Sequence, residues 1–94
     1  LSAFDALGPI VDEVDGECEV ICDGGIRRGT HVIKAIARGA TACSMGRPYL
    51  FVLAAAGQAG VTRVLELLRA DIERDMGLIG CMNVGEISAS HITP

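Results

Sequence analysis

Two short apolar runs, "CEVIC" (18–22) and "TACSM" (41–45), stand on either side of the helix-period stretch "THVIKAIARGA" (30–40). This strand–helix–strand order restricts the fold more than any other feature of the chain. Strands joined by a crossover helix run parallel. A parallel pair buried on both faces needs further strands at its edges, in an open doubly wound sheet or in a closed (β/α)8 barrel. A barrel takes about 250 residues. The 94 residues here would supply its last quarter to third, the final two strands with their helices, and would not be a complete domain alone.

The remaining segments read as helices and turns. "LSAFDALGPIVDEV" (1–14) carries Phe4, Leu7, Ile10, Val11 and Val14 at helical spacing, with Ser2 as N-cap. Pro9 is tolerable there only near a helix start or a break. "DGE" (15–17) is a turn. In the 30–40 helix, Val32, Ile33, Ile36 and Ala37 share a face and Gly39 ends it. "GRP" (46–48) opens a short helix over "YLFVLAAAG". A longer one follows from Val61 to Ile79, with Arg63, Glu66, Arg69, Glu73 and Arg74 on its polar faces and Arg69–Glu73 as an (i, i+4) pair. In the tail, Asn83 and Glu86 are spaced to cap a short last helical turn.

Composition narrows the class. Half the residues are hydrophobic but only 3% are aromatic and Trp is absent, which suits close helix-on-sheet packing by Ala, Val, Ile and Leu. A net charge of −4 speaks against nucleic-acid binding. The longest uninterrupted apolar run, "YLFVLAAAG", is about half of what a bilayer requires, so no membrane span is expected. Cys18, Cys22, Cys43 and Cys81 form no C-x-x-C pair and no zinc spacing, so no metal is expected; Cys22 and Cys43, inside apolar runs, read as small buried hydrophobes, and a reducing compartment is the default. A cytoplasmic setting follows, or a peroxisomal one in a eukaryote.

The chemistry sits in two loops. In "ICDGGIRRGTH" (21–31) a strand ends in an acid, two glycines and two arginines. Gly24 and Gly25 permit a tight turn and bring backbone N–H groups close to a ligand. The helix that follows points its positive N-terminal end at the same place. An arginine adds a fork suited to phosphate oxygens. Two adjacent arginines cannot both turn inward, so one binds and the other faces out. The alternative is an ordinary βα turn with solvated arginines. "SMGRPYL" (44–50) repeats the glycine–arginine device one βα unit later, with Pro48 in the first turn of a helix. Loops after the last two strands of (β/α)8 barrels often grip phosphate together. Neither a Walker loop nor G-x-G-x-x-G is present, which weakens the doubly wound option.

With these residues in view, "DGGIRRGTHVIKAIARGATACSMGRPYL" and "GVTRVLELLRADIERDMGLIGCMNVGEIS" resemble the C-terminal part of the FMN-dependent 2-hydroxy-acid oxidases and dehydrogenases, most of all glycolate oxidase-like members. The resemblance runs from about Phe4 to Ile92. It implies an FMN-binding barrel and a parent enzyme that oxidises a small (S)-2-hydroxy acid to the 2-oxo acid. Oxygen or an electron carrier would re-oxidise the flavin. By position it assigns FMN binding to Asp23, Gly24, Gly25, Ile26, Arg27, Gly46 and Arg47. Arg27 and Arg47 would clamp the phosphate, Asp23 would face the ribityl chain and Arg28 would point outward.

His31 departs from the family pattern, which has Asp there, and is expected on the surface. The family's catalytic histidine and a substrate arginine belong to an S-N-H-G-G-R-like segment expected just before Leu1. No catalytic residue is therefore expected within the chain: His91 is no substitute, and Tyr49 is expected to pack in a helix. Family analogy implies a homotetramer, with the rest of the barrel as an obligatory partner. Two rival readings stand beside this one: another phosphate-gripping barrel enzyme, and a non-catalytic barrel fragment whose open strand edges pair with the remainder.

Overall fold

Helix α1 (Ala3–Val14) begins where Ser2 caps it: its hydroxyl accepts the Asp5 N–H at 3.1 Å and donates to the Asp5 carboxylate at 2.8 Å. In the computed structural model of the chain, residues 2–92 are described, Arg47 and Pro48 by their backbone only. Pro9 lies in the helix interior, contrary to the expectation that it marks a start or a break. Its missing N–H frees the carbonyl of Asp5, and both residues are exposed, where solvent can take that hydrogen bond's place, so the helix continues. Asp15, at φ 50°, ends it.

Strand β1 (Ile21–Asp23) pairs in parallel with β2 (Ala42–Ser44), in the register Ile21–Ala42, Cys22–Cys43 and Asp23–Ser44. The expected strand over 18–22 therefore lies too early. A strand exists only where a partner runs beside it, and the partner begins after the turn at Gly39 and Ala40. Just before that point Val20 and Thr41 join the two segments: the Thr41 N–H donates to the Val20 carbonyl at 2.7 Å, and the Val20 N–H to the Thr41 hydroxyl at 3.1 Å.

Helix α2 (Gly29–Ala37) crosses between the strands. Arg38 caps it and Gly39, at φ 109°, turns the chain away just beyond, as expected of that glycine, although the helical stretch read over 30–40 extends too far. One face of the two-stranded sheet is covered by α1 and α2, where Leu7, Cys22, Ile26, Ala35 and Ala40 are buried together with Phe4, Val11, Val32 and Cys43 against them. The opposite face is bare among the described residues. Ile21 is 62% exposed, and Asp23, Ala42 and Ser44 are exposed beside it. Burial on both faces, expected from the sequence, does not hold within this segment.

Helix α3 (Arg47–Leu78) joins what the sequence suggested as two helices. Gly57, at φ 65° and ψ −155°, is the joint. Its C-terminal half packs on α2 and the tail through Ile33, Ala37, Met76, Cys81 and Ile87. The approach is close enough to require glycine at position 29: a Cβ there would stand 2.7 Å from the Ile72 backbone nitrogen. Arg69 and Glu73 pair at 3.1 Å with both side chains well exposed, an arrangement worth little in water. The stretch Tyr49–Leu78 holds an 18-residue window of mean hydropathy 1.4, long and apolar enough by length and composition to cross a membrane. The expectation drawn from uninterrupted runs missed this because the helix fuses two segments. The non-helical Gly57 divides it, and the half beyond carries Arg63, Glu66, Arg69, Asp71, Glu73, Arg74 and Asp75, too charged for a span of about 20 apolar residues.

Two short 3₁₀ turns, Val84–Glu86 and Ala89–His91, close the described chain. Asn83 precedes the first but makes no side-chain cap; the Glu86 carboxylate accepts the Met82 N–H instead. The second is capped reciprocally by Ser88 and His91.

Candidate functional site

The parallel register brings the carboxyl ends of β1 and β2 side by side, and the two loops that leave them enclose a cleft of about 440 Å³. Asp23, Gly24, Gly25, Ile26 and Arg27 line it from the first strand, and Ser44, Met45 and Gly46 from the second. Six of the seven residues proposed from the sequence thus meet at one place. The seventh, Arg47, has its backbone at the start of α3, and its side chain lies outside the described residues.

The first loop is shaped by its glycines. Gly24 at φ 111° and Gly25 at φ 76° hold conformations that L side chains rarely adopt. Ile26 then turns its side chain into the core, where it is 5% exposed, so what it can offer a ligand is backbone. The N–H groups of Gly25, Ile26 and Gly46 meet no protein acceptor among the described residues. A Cβ on Gly25 or Gly46 would project into open space, which leaves the backbone approachable at both points. Arg27 and Arg28 are both exposed, but only Arg27 lines the cleft. Arg28 borders the neighbouring groove against α3, with Asp71 and Arg74.

Asp23 is already engaged: its Oδ1 accepts the Ser44 hydroxyl at 2.7 Å, tying the two strand ends together across the cleft floor. Ser44 was not singled out from the sequence, although its position two residues before Gly46 placed it at the second strand's mouth.

Two further residues were missed or misjudged. The N-terminal end of α2 does not face a free anion site. The Asp71 carboxylate of α3 accepts the Gly29 N–H at 2.5 Å and is held in turn by Arg74, so a side chain of the protein already meets the helix dipole. His31 is half-buried rather than a surface residue, and its Nδ1 accepts the Arg27 backbone N–H at 3.1 Å. Burial, then the Arg28, Lys34 and Arg27 cations, push its pKa below the ordinary 6.5, against the opposing influence of the Gly25 carbonyl. A departure from a familiar pattern at this position was the only sequence signal for it.

Elsewhere, Tyr49 is 40% exposed on α3 rather than packed. His91 lies in the tail with its ring nitrogens 3.6 and 4.0 Å from the Cys81 sulfur, outside the cleft. All four cysteines are free thiols; Cys22 and Cys81 are buried, Cys43 is half-buried and Cys18 is exposed. Burial, with Cys22 beside it, pushes the Cys43 pKa up.

The sequence profile of the FMN-dependent dehydrogenase family matches residues 1–94. The chain belongs to that family. It is 49% identical over 92 residues to an L-lactate oxidase of Nostoc sp., covering 98% of this chain and 25% of the relative. A peroxisomal (S)-2-hydroxy-acid oxidase of Oryza sativa subsp. japonica is 52% identical over 87 residues, 93% of this chain and 24% of the relative. Among solved structures, a mandelate oxidase mutant with the monooxide FMN adduct superposes with a TM-score of 0.83 at 54% identity, over 87% of this chain and 26% of that one. The chain spans about a quarter of the length of these relatives, and its two parallel strands with flanking helices are what a segment of their (β/α)8 barrel contains.

FMN is the cofactor of the family. The cleft suits its phosphate end: acceptor-free N–H groups, glycines that leave room for close approach, and one arginine at the rim.

Proposed function

We propose that this chain is the C-terminal part of an FMN-binding (β/α)8 barrel, the segment that grips the cofactor's phosphate in an enzyme oxidising a small (S)-2-hydroxy acid to the 2-oxo acid. The names of the relatives support the substrate class, which includes lactate, (S)-2-hydroxy acids and mandelate. The single observation that carries the reading is the cleft shared by the two strand-end loops. Its floor is Asp23 and Ser44, its wall the backbone of Gly24, Gly25 and Ile26, and its rim Arg27 and Gly46.

FMN, when bound, supplies the acceptor for the two electrons that leave the substrate's α-carbon. The residues of this chain bind and orient. Gly25, Ile26 and Gly46 would offer N–H groups to phosphate oxygens and Arg27 its guanidinium, and Arg47 is proposed as the second clamp from its place in the sequence. Asp23, its Oδ1 held by the Ser44 hydroxyl, would be the acceptor available to the ribityl chain. No residue here is assigned the removal of the substrate's hydroxyl proton; that base belongs to the rest of the barrel. The bare sheet face around Ile21 and Ala42 is then the barrel interior, completed by the other strands. A homotetramer in a reducing compartment, in the cytoplasm or a peroxisome, completes the proposal.

The test is made on the full-length protein. Acid release should yield FMN, and anaerobic addition of glycolate, (S)-lactate or (S)-mandelate should bleach the flavin's visible band with formation of the 2-oxo acid. A flavin lacking the phosphate, or a band that none of these acids bleaches, contradicts the reading.

A further inference from the structure

His31 is placed so that the shape of the first loop depends on it. The loop leaves β1 through two glycines that hold positive φ, drops Ile26 into the core and must then present Arg27 at the rim. Just before α2 begins, the Arg28 carbonyl accepts the His31 and Val32 N–H groups as the ordinary first bonds of the helix, and a side chain of the helix reaches back to the loop itself: His31 Nδ1, one helical turn further on, accepts the Arg27 N–H at 3.1 Å. The geometry fixes the tautomer. A nitrogen that accepts carries no proton, so the neutral ring has its hydrogen on Nε2, and an imidazolium, which donates from both nitrogens, cannot make this bond.

The groups around the ring are Arg27 and Arg28 from the loop, Lys34 from α2, the Gly25 carbonyl, and Ser2, which caps α1, with Phe4 of α1, the last two bringing no charge. Partial burial, then the three cations, disfavours a further charge on the ring, so the bond persists at neutral pH. With the folded pKa lowered, the unfolded chain binds the proton more readily. The contribution is complete above the ordinary value of 6.5 and is lost as pH falls from there through the lower folded value.

We propose that His31 is a positioning residue for the cofactor's phosphate: its neutral imidazole, holding the Arg27 N–H through Nδ1, keeps the first loop in its anion-binding shape, and protonation releases it. Phosphate affinity then carries a pH dependence built into the loop. This rests on the FMN reading above. It also means that Arg27 serves the anion through its guanidinium alone, its backbone N–H being committed to His31.

Affinity for FMN, read from quenching of its fluorescence by the full-length apoprotein, tests the idea without recourse to turnover. His31→Asn keeps an acceptor oxygen near the position of Nδ1 but does not titrate. His31→Ala removes the acceptor. At about pH 7.5, His31→Asn should bind FMN as the native protein does and His31→Ala about fivefold more weakly, the worth of one hydrogen bond. Lowering the pH stepwise from there, through the folded value of His31, should weaken the native protein towards the alanine variant, relative to His31→Asn, which shares every other titration including that of the phosphate. An alanine variant that binds normally overturns the proposal. So does a native protein that gains affinity over His31→Asn as pH falls, because the imidazolium would then be holding the anion directly. Arg27→Ala, measured alongside, separates the two levels. If it weakens FMN binding while both His31 variants match the native protein at every pH, the positioning role alone fails; if it leaves affinity unchanged, the phosphate reading fails with it.

Discussion

The two strand-end loops use the same letters, glycine followed by arginine, yet they are built differently. The first is fixed by its own structure: Gly24 and Gly25 at positive φ, Ile26 anchored at 5% exposure, and His31 holding the Arg27 N–H. Among the described residues, the second shows none of this. Gly46 has φ −112°, open to any residue, and no side chain caps the helix behind it. One loop is a preformed cradle and the other a point where the chain comes near. Preorganisation lowers the ordering cost of binding, so the first loop should carry most of the affinity and the second should tolerate change.

Three substitutions sharpen or break that contrast. Ile26→Ala should be the most damaging, costing about 2–5 kcal/mol by opening a cavity under the first loop; denaturant unfolding of the full-length apoprotein measures it. Gly25→Ala comes next, since a Cβ at φ 76° costs about 1–2 kcal/mol, and FMN affinity should fall with it as the loop shifts. Gly46→Ala should be smallest, within about 0.5 kcal/mol, because its added methyl meets nothing within 4 Å and its backbone conformation is ordinary. Equal costs at Gly25 and Gly46 would erase the distinction between the loops.

What the sequence made legible follows the range of the interactions involved. Ser2 capping α1 is a contact over three residues, and the two parallel strands follow from short apolar runs around a helical period; both are local. The failures are tertiary. β1 could not be placed at Ile21–Asp23 without knowing where β2 begins beside it. Gly29 looks like loop punctuation, but it is required by the backbone of α3, about 42 residues away, whose Asp71 also takes over the N-terminus of α2. At the site, glycine spacing announced the cleft, whereas the Asp23–Ser44 bond that forms its floor exists only through strand register. His31 looked like a surface residue because helical position says nothing about a loop folding back onto it.

The central claim is that the first loop recognises a phosphate, and comparing FMN with riboflavin, which lacks it, tests this most directly. Dissociation constants for both ligands should be measured with full-length apoprotein, native and Arg27→Ala. Loss of a charge-assisted bond to phosphate should weaken FMN by about ten- to a hundredfold and leave riboflavin unchanged. Equal weakening of both flavins, or of neither, would contradict the account.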